Sequence, residues 1–142
     1  MAFIIIVTII IYGLAIIWTW NSLGEIEKPK KIVVIVIGML ITYIITTIVF
    51  AISKNGIDYQ SIMGENEIRM AITAIFTGLN LLILLPYISK QLNKIHEGEI
   101  EQKEFLRKMA ILAIIFIICM WIECGYMKNT QAGILRIYQL NK

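Results

Sequence analysis

The 142 residues include one histidine, one aspartate, two cysteines and two prolines. A lone His96 cannot build a histidine cluster, and a lone Asp58 cannot form a paired-carboxylate metal–phosphate site. No H-E-x-x-H, G-x-x-x-x-G-K or G-x-S-x-G motif occurs. No nucleophile–base pair can be named, so the chain is read as a non-enzyme with no expected cofactor or metal. Cys119 and Cys124 stand five residues apart. On a helix they point about 140° away from each other, which excludes a bridge within that helix. Basic residues form no dense run, so nucleic acid is not an expected partner.

What the chain does have is apolar length. It is 58% hydrophobic and only 16% charged, with a mean hydropathy of +0.78. A soluble domain of this size must solvate its exterior and does not carry such a composition. The apolar residues gather in four runs, at 2–20, 32–52, 70–88 and 109–127. A helix rises about 1.5 Å per residue and the hydrocarbon core is roughly 30 Å thick, so about 20 apolar residues cross it. The reading is all-α: a polytopic membrane protein with four transmembrane helices in one antiparallel bundle, spanning 1–142 as a single domain. The first run lacks a basic lead-in and an A-x-A site, so it is expected to be a retained span rather than a signal peptide. Close to a quarter of the residues are isoleucine, and lysine outnumbers arginine ten to three. Both biases point to an AT-rich, bacterial source, and so to the plasma membrane.

Charge gives an orientation. Loops one and three carry eight Lys and Arg residues, against five in the N-terminus, loop two and the tail. The positive-inside rule places loops one and three in the cytoplasm and both termini outside. Trp18, Trp20 and Tyr87 would then sit at the inner interface, and Phe3, Phe50, Trp121 and Tyr126 at the outer one. In loop two, Lys54-Asn55-Gly56 signals a turn, and the acidic Glu65-Asn66-Glu67 suits a helix start. In loop three, Ile88, Leu92 and Ile95 keep helical spacing, which predicts that the third helix continues beyond the surface. Gly98 ends it and Glu99 opens the fourth helix, giving a hairpin that carries Ile100, Phe105 and Leu106. Pro86 is expected to kink the third span.

Each span also carries a polar stripe at helical spacing. The stripes are Thr8–Tyr12–Thr19, Gly38–Thr42–Thr46, Thr73–Thr77–Asn80 with Gly78 beside it, and Cys119–Glu123. Small residues let helices approach, and hydroxyls and amides are expected to bond across them. Tyr12, Thr42, Tyr43, Asn80 and Cys119 all fall near the middle of their spans. Glu123 lies about 7 Å outward of its span's centre, by helical rise. Glu123, Asn80, Tyr12, Thr42 and Tyr43 therefore form the candidate intramembrane polar site. Arg69, at the outer end of the third span, is the expected ion-pair partner of Glu123. Two functions follow. The first is an interaction or accessory subunit whose partners are the lipid bilayer and other membrane subunits, or a second copy. The alternative is a small oligomeric transporter or channel that uses Glu123 and the midplane polar residues as a protonatable or cation-binding site.

The orientation is testable by labelling. A Glu101→Cys variant should react with an impermeant thiol reagent only from the cytoplasmic side, and a cysteine near Lys142 only from outside. The opposite pattern would reverse the topology.

Overall fold

The computed structural model describes residues 2–57 and 65–140. Asp58 and Gly64 lie outside the described residues. The described chain is helical, with four helices in the order α1 (Ala2–Ser22), α2 (Lys28–Ser53), α3 (Glu65–His96) and α4 (Gln102–Leu140). Among the described residues there is no strand. Each helix is long and apolar enough to cross a membrane.

Local sequence sets the ends. Pro29 stands in the first turn of α2, where its missing N–H costs nothing and its fixed φ suits a helix. Asn55 and Gly56 close the turn after α2, with Gly56 at φ +83°. α3 begins at Glu65, and Glu67 in its first turn suits the positive end of the helix dipole. It ends in a Schellman motif. Gly98 takes φ +73°, the Glu99 N–H donates to the Lys94 carbonyl at 2.9 Å, and the Gly98 N–H donates to the Ile95 carbonyl at 3.0 Å. α4 starts at Gln102 rather than at Glu99, because the three residues that follow the motif's glycine, Glu99, Ile100 and Glu101, are spent in reversing the chain. α3 runs on through Pro86, which leaves the Leu82 carbonyl without its usual intrahelical donor.

All four helices exceed the apolar runs that mark them. α4 is the clearest case: it has 39 residues, about 58 Å at 1.5 Å per residue. The tail after Met127 therefore belongs to the helix as far as Leu140.

α1 and α4 do not touch, and α2 and α3 separate them. α1 lies mainly on α3, while α4 leans on α2 and α3. The core is divided accordingly. Val49 and Phe50 of α2, Ile68 and Ile72 of α3, and Met120, Met127 and Leu135 of α4 form one cluster. Ala15 of α1 with Leu81 and Leu85 of α3 forms the other. Phe50 points into the helix packing and is 2% exposed. Trp121 and Tyr126 are exposed.

Glycines set the closest approaches. A Cβ on Gly78 would lie 2.9 Å from Ile11 Cγ2 and 2.9 Å from Tyr12 Cε2 of α1. A Cβ on Gly38 would lie 2.5 Å from Leu85 Cδ1 of α3. In the turn after α1, Gly24 has φ +57° and packs on Asn93, whose amide nitrogen a Cβ would meet at 2.6 Å. The adjacent Leu23 is fully buried, and Lys31 lays its ammonium 4.9 Å from the centroid of the Trp20 ring. These contacts fasten the start of α2 to the end of α1.

Gly78→Val should force α1 away from α3 and cost about 1–3 kcal/mol, as overpacking does. Gly13 has nothing within 4 Å of its would-be Cβ, so Gly13→Ala should be neutral or stabilising. Thermal unfolding in detergent measures both. Equal midpoints for the two variants would contradict the packing.

Candidate functional site

The polar face of α3 is built by spacing. Thr73, Thr77 and Asn80 recur at i, i+4 and i+7, and all three are buried. Asn80 donates from Nδ2 to Oε1 of Glu123 on α4, at 2.9 Å. This bond joins two helices that have no charged partner at that level. Among the described residues the ion pairs are Lys30–Glu27 at 3.3 Å, across the start of α2, and Lys108–Glu104 at 3.6 Å, within α4. Glu123 thus meets an amide rather than the guanidinium of Arg69. Arg69 is exposed and lies eleven residues before Asn80 on α3, about 16 Å away along the axis.

The other flank of α3 receives Tyr12 of α1. Its phenol donates to the Ala74 carbonyl at 3.2 Å and sits beside the Thr77 hydroxyl. The Thr77 Oγ1 atom is buried and makes no hydrogen bond of normal geometry. The seam therefore runs Tyr12, Thr77, Asn80, Glu123 across three helices. An unbonded buried hydroxyl costs about 1–3 kcal/mol, so Thr77 is a place where a polar partner would be welcome.

Two of the anticipated members do not join the seam. Thr42 is buried, but its hydroxyl donates back to the Gly38 carbonyl of its own helix at 2.7 Å. Tyr43 is 54% exposed. The other hydroxyls of the stripes behave like Thr42. Thr8, Thr19 and Thr46 donate to carbonyls four residues earlier at 2.6–2.8 Å, and Thr73 does so to Arg69. The i−4 carbonyl is always within reach of a helical threonine, so it outcompetes a partner on the next helix. The outward face of each threonine is then a methyl group, and the stripes pack as small apolar surfaces. Cys119 is exposed, and both cysteines are free.

One interhelical bond was missed from the sequence. Gln131 of α4, fully buried, donates from Nε2 to Oγ of Ser53 at 2.8 Å. The signal existed: Met127, Gln131 and Leu135 recur every four residues, continuing the buried face of α4 beyond its apolar run. At the opposite end, Lys108 donates to Oε1 of Gln91 at 3.3 Å. α4 is therefore tied by side-chain hydrogen bonds at three levels, at Lys108, Glu123 and Gln131.

Removing the acceptor should be worse than removing the charge. Glu123→Leu strands the buried Asn80 amide and should cost about 1–3 kcal/mol. Glu123→Gln keeps a carbonyl acceptor and should cost distinctly less. Unfolding of the purified variants in detergent decides this. Equal losses would show that the charge, not the hydrogen bond, holds α4.

No family model, curated protein or solved structure matches this chain.

Proposed function

We propose that the chain is a multi-pass integral protein of a bacterial plasma membrane. Its four helices would form an antiparallel bundle with both termini outside, and it would serve as an interaction or accessory subunit of a membrane assembly. The observation that carries this reading is the state of α4. It is the longest helix and the least buried of the four. Ile114, Ile118, Trp121 and Ile122 remain exposed along it, and Trp121 is 82% exposed. Its three polar ties hold that face in a fixed direction. An apolar face held in a fixed direction and left exposed along the helix suits packing against another membrane helix.

A second reading, a small oligomeric transporter or channel, is favoured by the Thr77 hydroxyl. It lies unbonded beside Tyr12, one turn from the Asn80–Glu123 bond. Such a seam could admit a proton or a small cation.

The two readings separate in one set of measurements. As an interaction subunit, the native protein should co-purify with a membrane partner or with itself. Trp121→Ala should weaken that association about tenfold or more without lowering thermal stability. As a transporter, the purified protein should conduct protons or cations in liposomes, and Glu123→Gln should abolish the flux. Flux from a protein that associates with nothing would overturn the first reading.

A further inference from the structure

An apolar cleft of about 440 Å³ opens between α2, α3 and α4 at the end of the molecule that carries the Gly98 turn. Ile37 and Ile41 of α2, Leu85 and Leu92 of α3, and Leu112 and Phe116 of α4 line it. Along α2 it extends from Val33 to Ile45, about 18 Å by helical rise. That is slightly more than half of a hydrocarbon core roughly 30 Å thick. The cleft is thus one leaflet deep. The space has the length and the apolar lining that a single extended hydrocarbon chain needs.

The rim has a sign. Lys108 precedes Leu112 and Phe116 at four-residue spacing, so it stands at the mouth on the α4 wall. There it is held by Gln91 of α3. Lys30 precedes Val34, Ile37 and Ile41 on the same stripe of α2. Each lysine also pairs with a carboxylate close by in the chain, Glu104 for Lys108 and Glu27, just before α2, for Lys30. Exposed pairs of this kind are weak and easily exchanged. Basic pockets between membrane helices, at the end that carries the excess of Lys and Arg, attract anionic headgroups.

We propose that this cleft binds one anionic phospholipid, with an acyl chain lying along Ile37, Ile41, Leu85 and Leu112 and its phosphate held at Lys108 and Lys30. The assignment rests on the membrane reading above. It goes beyond that reading in naming a ligand class and a site. The bound chain would supply the contacts that α4 lacks against α2 and α3 at this end.

Native mass spectrometry of the full chain, released from a mild detergent, tests it. Phosphatidylglycerol and phosphatidylcholine with identical acyl chains are the probes. One phosphatidylglycerol per chain should be retained, about tenfold more than phosphatidylcholine at equal concentration. A Lys30→Gln, Lys108→Gln double variant should lower phosphatidylglycerol to the phosphatidylcholine level. Ala113→Phe, which projects into the cleft, should lower both about tenfold. Val34→Phe is the second cleft-filling variant, and helicity by circular dichroism confirms which of the two is folded. Equal retention of the two lipids by the native chain would overturn the proposal, as would undiminished retention by a folded cleft-filling variant. A lipid-free dimer that the cleft-filling variants dissociate would assign the cleft to a second copy instead. Solubility without detergent would remove the membrane reading itself, whereas detergent-dependent protein that retains both lipids equally would overturn only the cleft assignment.

Discussion

A polar side chain on an apolar helix must find a partner, and in α3 the Asn80 amide finds the Glu123 carboxylate. Much of the arrangement follows from that requirement. The bond sets how far α4 slides along α3 after the Gly98 turn, and the Lys108–Gln91 and Ser53–Gln131 bonds agree with the same setting above and below it. An unsatisfied amide or carboxylate in hydrocarbon costs several kcal/mol, so a slip of one turn in either direction is opposed by polarity before packing is considered.

The opposite flank of α3 is held by shape instead. Gly78 lets Ile11 and Tyr12 sit against the α3 backbone, and Tyr12 then reaches the Ala74 carbonyl. Close backbone approach is the main source of helix association where the surroundings are as apolar as the helices. The two flanks thus use different physics. α1 is held tightly by steric fit, while α4 is held by a few polar bonds and leaves a cleft beside Leu85 and Phe116. That asymmetry is why α4, rather than α1, carries both functional proposals.

The four helices are legible in the sequence because each apolar run has the length and spacing of one. Asn80 and Glu123 are also legible as candidates, since an amide and a carboxylate are conspicuous among isoleucines. Their pairing was readable only by another route. Centring each apolar run separately puts Glu123 level with Ala74, between Arg69 and Asn80, and does not choose between them. Counting from the hairpin instead, with Gln91 level with Lys108, sets Asn80 level with Cys119. Glu123 stands one turn beyond Cys119, within side-chain reach of Asn80. The threonine stripes misled for a different reason. Spacing shows which face a hydroxyl occupies, but the backbone carbonyl one turn back claims its hydrogen.

A double-mutant cycle on Asn80 and Glu123 tests most directly whether their bond holds α4 in place. Unfolding free energies of the native protein, Asn80→Leu, Glu123→Leu and the double variant in one detergent give the coupling between the two side chains. A coupling of about 0.6–2 kcal/mol is expected, with the double variant less destabilised than the two single losses combined. Strict additivity would contradict the bond's role and would leave the position of α4 to packing alone.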